Sequence, residues 1–368
     1  MKIGILTQPL QYNYGGLLQN YALQTVLKEA GNECVTLDWQ NVYIKPSATK
    51  FQKRVALLKH YIKCLINKCP APKTTFDAFK DNYINSTPKI FNSRGFAKAA
   101  KSTEIEAIVV GSDQCWRPIY CFPFLKQMFA SFASSKIKKY AYAASFGTDN
   151  WEFSDRDTRV ASKLVKEFEY VSVRESSAIE LCKTHLGVEA TLVLDPTMLL
   201  TSEQYTAIVE QAHTPVSPGD FYYYILDSTP EKALMLDCIS KEYNLQPFYV
   251  ERIQQRPDNY VGESVAPSVL SWIRGFMDAK MVIVDSFHGM VFSIIFNKPF
   301  WVIANKERGV ARFESLLKLF GLEDRIITDY QTVDFNKEID WSMVNGKLKQ
   351  LRNISKMFLL SNLAHGEG

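Results

Sequence analysis

A chain of 368 residues, 46% hydrophobic and 22% charged, has the apolar material for two domains of ordinary size and is no candidate for disorder. Its formal net charge of +4 is too small to argue for nucleic acid. Seven scattered cysteines, no CxxC and only five histidines read as a reduced cytosolic protein without a structural zinc.

Residues 2–7, KIGILT, are too short for a signal h-region and read as a first strand. A helix is expected at Leu17–Ala30 and a strand at Cys34–Asp38. Between Asp38 and Asp77 there are eight basic residues and no acidic one, so this segment carries +8 and the remainder of the chain −4. Strands follow at Ala107–Val110, Tyr140–Ala144 and Tyr170–Val173, with a helix at Asp155–Glu169. A further strand at Thr191–Leu194 ends at LDPT, where Pro196 breaks regular structure. After the polar stretch His213–Asp220 a second series begins, with strands at Phe221–Asp227, Pro247–Val250, Met281–Asp285 and Phe300–Ile303. A helical stretch, Asn336–Leu363, closes the chain. The apolar region Met281–Ala304 is interrupted by Asp285, His288, Lys298 and Pro299, which makes it a poor membrane span. Strand-length apolar runs alternating with helical patterns mean α/β with mostly parallel sheets. The expected division is 1–200, with a basic helical insertion at about 46–75, then 201–335, then a closing helix at 336–368 that packs back on the first domain.

In open α/β sheets ligands collect beyond the carboxyl ends of strands. Five strands here are followed by small, polar or charged residues. Asn13, Tyr14, Gly15, Gly16 and Gln19 follow the first. Ser112, Asp113, Gln114 and Trp116, in GSDQCW, follow the third. Ser145 in SFGT, Arg174 in RESS, and Ser286, His288 and Gly289 in SFHG follow the others. The glycine loop is not GxGxxG and no GxxxxGK[ST] exists, so dinucleotide and P-loop readings lose their support. Gly15-Gly16 permits close backbone approach at a helix start, or simply a helix entry. His288, about one turn into a helix, reads as an anion ligand or proton carrier, or as a histidine satisfied by a backbone carbonyl. Arg174 follows a run that should be buried, and its partner is Glu175, Asp195 or an anionic ligand. Arg308 and Arg312 share a face if helical, or pair with Glu307 and Glu314. Asp113 is either a turn residue or a general base, and Trp116 either an aromatic face for a sugar ring or a core tryptophan. Ala143–Gly147, AASFG, has the outline of a nucleophile elbow around Ser145, but its first glycine is replaced and no oxyanion loop is visible.

In residues 50–69 apolar Phe51, Val55, Leu58, Ile62 and Leu65 fall at helical spacing, with Lys53, Arg54, Lys59 and Lys63 mostly elsewhere. Such a helix either lies on an anionic membrane surface or docks on the core with a solvated basic face.

Six ordered stretches, NYGGLLQNYALQ, VVGSDQCW, YAASFGT, SVRESSA, VLDPTMLL and VDSFHGMVFSIIFNKPF, together resemble the polysaccharide pyruvyl transferase family over roughly residues 1 to 330. The resemblance implies a glycosyltransferase-B-like architecture of two Rossmann-like domains facing a cleft. It implies phosphoenolpyruvate as donor co-substrate; no other cofactor is expected, and the sequence offers no metal-ligand set. The implied acceptor is a sugar diol on a surface polysaccharide or its lipid-linked precursor, and the product a cyclic pyruvate ketal. By motif position Arg174 falls on the donor, His288 takes the family histidine and Asp113 the acidic position facing the acceptor. Glu175 stands where family members often have Asp. The cysteine usage points to the cytoplasm, and one of the two readings of the basic segment Lys50–Lys68 puts the protein peripherally at the inner face of the plasma membrane. The rival readings are a sugar-nucleotide glycosyltransferase of the same architecture and a non-catalytic glycan- or membrane-binding protein.

Overall fold

The computed structural model describes residues 1–11, 13–40, 55, 74–250, 268–304, 310–327 and 330–364, and among them apolar runs rich in β-branched, small and aromatic residues set eleven strands. Arg308 and the segment Lys50–Lys68, Val55 apart, lie outside the described residues. One sheet holds β1 (Lys2–Leu6), β2 (Glu33–Thr36), β3 (Ala107–Val110), β4 (Lys138–Ala144), β5 (Tyr170–Val173) and β6 (Thr191–Leu192), in the order β2-β1-β3-β4-β5-β6. The other holds β7 (Phe221–Tyr224), β8 (Pro247–Tyr249), β9 (Met281–Val284), β10 (Phe300–Ile303) and β11 (Ile326–Ile327), in the order β11-β10-β9-β7-β8. Every pairing in both is parallel. Strands buried on both faces need no alternation, and AIVV of β3 and MVIV of β9 are buried at every position.

The helices among the described residues are α1 (Tyr14–Glu29), α2 (Thr75–Tyr83), α3 (Ser93–Ser102), α4 (Pro118–Cys121), α5 (Asp155–Val165), α6 (Ser177–Leu181), α7 (Ser202–Gln211), α8 (Pro230–Glu242), α9 (Val269–Asp278), α10 (Phe287–Ile295), α11 (Ala311–Phe320) and α12 (Trp341–Ala364). The chain forms two compact units. One comprises Met1–Lys73, Lys80–Leu199 and Arg352–Gly368, and the other Thr74–Phe79 and Leu200–Leu351. Within the first, the end of α12 is tied to the segment after β6. Arg352 Nε donates to the Met198 carbonyl at 2.7 Å, the Leu194 N–H donates to Ser355 Oγ at 3.0 Å, and Phe358 sits edge-on to Tyr170.

Several elements differ from expectation, each for a local reason. α1 starts at Tyr14 rather than Leu17, because the Asn13 side chain accepts the Gly16 N–H at 3.1 Å and caps the helix early. α12 starts at Trp341 rather than Asn336. The carbonyls of Lys337 and Glu338 are held outside the helix by the two terminal nitrogens of buried Arg325, at 2.8 Å each. β7 stops at Tyr224, short of Asp227, whose N–H turns away to Asp285.

Candidate active site

Beyond β3 in the first unit the chain turns sharply. Asp113 adopts φ +65°, a left-handed conformation that Asp tolerates through local hydrogen bonds, and its Oδ1 accepts the Gln114 N–H at 2.9 Å. The same Oδ1 accepts from a terminal nitrogen of Arg174 at 3.3 Å. Oδ2 accepts from Asn13 Nδ2 at 3.1 Å. Asn13 therefore works at both ends of its amide, capping α1 with its oxygen and holding Asp113 with its nitrogen.

The Arg174 side chain is 0% exposed. Its other terminal nitrogen donates to Asp195 Oδ2 at 2.7 Å and to Ser112 Oγ at 3.3 Å, and Nε lies 3.8 Å from a Glu175 oxygen. Asp195 is the acid of LDPT. Its second oxygen is taken by the Thr197 N–H and hydroxyl at 3.0 and 2.7 Å, and Ser112 Oγ donates to its first at 2.7 Å. Three carboxyl groups thus gather round one guanidinium, for a formal charge of −2. Burial works against the Arg174 charge, yet Asp195, Asp113 and Glu175 outweigh it and raise its pKa above the usual value. Among the described residues Asp195 and Asp113 pair with this arginine, the first of them a partner that the sequence offered.

Glu175, also fully buried, organises the next strand end. One oxygen accepts from Ser145 Oγ at 2.9 Å and from the N–H groups of Phe146 and Gly147 at 2.9 and 3.3 Å. Upstream, β4 carries an irregularity at Ala143, with φ +53° in the left-handed region. Ser172 of β5 satisfies that kink, accepting the Ala143 N–H at 3.1 Å and donating to the Ala141 carbonyl at 3.0 Å. Ser172 was legible only as a lone hydroxyl in an apolar strand. Gln114 packs over Gly147, where a Cβ would lie 2.0 Å from its amide oxygen.

Two alternatives raised by the sequence are resolved here. Ser145 is 0% exposed, its hydroxyl is shared between Glu175 and the Gly147 N–H, and the strained residue is Ala143 two positions earlier, so AASFG is not a nucleophile elbow. Trp116 is fully buried, stacked on Phe129 at 5.0 Å with its Nε1 bonded to the Met128 carbonyl. It is a core tryptophan, not a face for a sugar ring. At the start of α1, Tyr14, Gly15, Gly16 and Gln19 are all buried, and Gln19 Nε2 bonds Thr7 Oγ1 and the Gly16 carbonyl at 2.7 and 3.0 Å.

In the second unit β9 runs into α10. Ser286 is the N-cap, accepting the Gly289 N–H at 3.1 Å. A Cβ on Gly289 would meet Ser286 Oγ at 2.6 Å and Val284 at 2.8 Å, so this cap requires glycine. His288 is the second helical residue, nearer the N-terminus than the full turn expected, and 9% exposed. Phe287 meets it edge-on at 5.4 Å, and the Arg312 guanidinium from the start of α11 lies 5.9 Å from the same Phe287 ring. Phe287 therefore lies near both His288 and Arg312. Asp285 is occupied elsewhere, accepting from Lys232 Nζ at 2.9 Å and from the N–H groups of Leu226 and Asp227. Nothing in the sequence marked Lys232.

Among the described residues no group of three or more His, Cys, Asp and Glu could hold a metal ion, and no helix is long and apolar enough to cross a membrane.

A family model described as polysaccharide pyruvyl transferase matches residues 13–307. No curated protein matches the chain. Among solved structures, the UDP-GlcNAc 2-epimerase from Methanocaldococcus jannaschii is similar over 98% of this chain and 99% of its own, at 11% identity and a TM-score of 0.50. The epimerase from Neisseria meningitidis bound to UDP-GlcNAc aligns over 99% and 100%, at 11% identity and a TM-score of 0.49. The chain has the glycosyltransferase-B-like class of fold, α/β with two parallel sheets.

Proposed function

The chain belongs to the polysaccharide pyruvyl transferase family, and from that premise we propose that it moves the pyruvyl group of phosphoenolpyruvate onto a sugar diol, closing a cyclic ketal. The family match over residues 13–307 carries this reading. We assign the acceptor to a lipid-linked saccharide of capsule or exopolysaccharide synthesis, with the protein cytoplasmic and the basic segment Lys50–Lys68 resting on the anionic membrane surface.

The chemistry asks for two kinds of group. Phosphoenolpyruvate is a compact polyanion that needs cations and peptide N–H donors. The start of α10 presents the positive end of a helix, with His288 in its first turn and the Arg312 guanidinium near the Phe287 ring. A proton delivered to the vinyl carbon makes a methyl group and leaves C2 electron-poor. The first sugar hydroxyl then attacks C2 as a base takes its proton. The C2–O bond to phosphate breaks, phosphate leaves carrying a proton, and the second hydroxyl closes the ring with loss of its own proton. His288 is the proton donor or leaving-phosphate partner, and Asp113 the base on the attacking hydroxyl.

Thermal shift tests this directly. Phosphoenolpyruvate should raise the melting temperature, whereas UDP-GlcNAc, the ligand of the Neisseria structure, should not. Stabilisation by the nucleotide sugar alone rejects the proposal in favour of a sugar-nucleotide transferase.

A further inference from the structure

We infer that Gln114 is a specificity-determining residue for the acceptor, its side-chain N–H2 donating to a sugar oxygen next to the reacting hydroxyl, and that Arg117 and Glu152 are the positioning residues that hold it. The inference rests on the functional reading above and deepens it, since Asp113, the preceding residue, is there the base on that hydroxyl. A long polar side chain gives up much rotamer freedom when it is fixed. Gln114 is half-buried and fixed at every point but one. Its N–H donates to Asp113 Oδ1 at 2.9 Å, and its carbonyl accepts from Gln8 Nε2 at 2.7 Å. Its side chain lies across Gly147, where a Cβ would stand only 2.7 Å from Gln114 Cγ. Its amide oxygen accepts from a terminal nitrogen of Arg117 at 3.0 Å. Arg117 is clamped in turn. Its Nε and other terminal nitrogen donate to the two Glu152 oxygens at 2.9 and 2.8 Å, and its guanidinium lies 5.4 Å from the Tyr120 ring. The point left over is Gln114 Nε2, which donates to nothing among the described residues.

The direction of the amide follows from its partner. A guanidinium has donors and no acceptor, so the atom that meets it is the amide oxygen, and the N–H2 is turned away from Arg117. With the oxygen taken, what remains is a pure donor. Uncharged and adjacent to a carboxylate, it suits a neutral sugar oxygen. A site that hydrogen-bonds one substrate oxygen rejects sugars that lack it or carry it on the wrong face, because the protein group then loses its partner. The guanidinium fork suits the holding task because its donors are rigidly disposed toward Glu152 and Gln114 together, which a lysine cannot reproduce.

The test reads phosphate release at saturating phosphoenolpyruvate, with the varied substrate being whichever saccharide of a lipid-linked panel gains a pyruvyl group. Gln114→Met keeps the length that packs over Gly147 and loses the donor. Acceptor KM should rise about tenfold, the scale of one hydrogen bond to substrate, while phosphoenolpyruvate affinity by titration calorimetry stays within about twofold of wild type. Arg117→Lys keeps a charge for Glu152 and loses the donor that holds the amide, so acceptor KM should rise roughly threefold. That rise should vanish in the Gln114→Met background, because Arg117 acts through Gln114. A rise that persists there makes Arg117 merely structural and overturns its positioning role. Acceptor KM within about twofold of wild type in Gln114→Met overturns the assignment of Gln114, and a tenfold loss of phosphoenolpyruvate affinity moves the amide to the donor instead. If Gln114→Met does not fold, Gln114→Glu, which keeps an oxygen for Arg117, decides by the same KM. A wild-type chain that consumes no phosphoenolpyruvate with any saccharide overturns the functional reading itself, and the assignment with it.

Discussion

The two units solve one structural problem with opposite charges. Each ends its central strands in short polar turns that lead into helices. In the first, three carboxyl groups surround a single buried guanidinium and Asp113 is held from two sides. In the second, the acid at the strand end, Asp285, is consumed by Lys232 and two backbone N–H groups, which leaves His288 and Arg312 beside the start of α10. A carboxylate fixed in one orientation is placed to take a proton from a hydroxyl, while a helix start with a guanidinium near it attracts an anion. Equivalent positions in a repeated fold thus diverge by where the acids and bases sit, not by backbone.

The contrast is broken most severely at Asp113. Asp113→Asn removes the base and should lower kcat by roughly 10²–10⁴-fold with phosphoenolpyruvate affinity retained, read by phosphate release and calorimetry. Next comes the cationic side. Arg312→Ala should weaken phosphoenolpyruvate binding by at least about tenfold, since a charge-assisted hydrogen bond is worth ~1.5–3 kcal/mol. Unchanged affinity would dissociate the second unit from the donor. Glu175→Gln sharpens the comparison from the structural side. It weakens the acceptor of one hydroxyl and two backbone N–H groups, so thermal or denaturant unfolding should show a loss of about 1–3 kcal/mol. The smallest effect concerns the thiols. Burial pushes Cys115 up to about 12 and Cys121 well above the usual value, so neither forms thiolate near pH 8. Iodoacetamide at that pH should modify exposed Cys238 and spare both, as mass spectrometry of peptides will show.

The strands were the readable part. Ala107–Val110, Tyr170–Val173 and Phe300–Ile303 form with the limits that their apolar runs indicate, because buried parallel strands are uninterrupted hydrophobic sequence. β11 escaped notice, since Ile326–Ile327 is too short to carry a pattern. So did α2 and α3, nine and ten residues long and too short for a repeat of apolar spacing to stand out. At the site, the residues after each strand were visible as polar interruptions, but their partners were not. Arg174 reaches Asp195 across 21 positions and Asp113 across 61. Such pairing is set by strand order, which places β5 beside β4 and β6. Trp116 shows the same limit, since only tertiary packing against Phe129 and Phe146 tells a core ring from a binding face. Asp195 is the instructive case. LDPT read as a strand terminator, and its acid proves to be the anchor of the whole carboxylate cluster.

The most direct measurement is incubation of the purified chain with phosphoenolpyruvate and a panel of lipid-linked saccharides, followed by the mass of each product. One acceptor should gain a pyruvate less a water, with release of one phosphate. No gain from phosphoenolpyruvate across the panel, together with sugar transfer from a nucleotide sugar, would contradict the account.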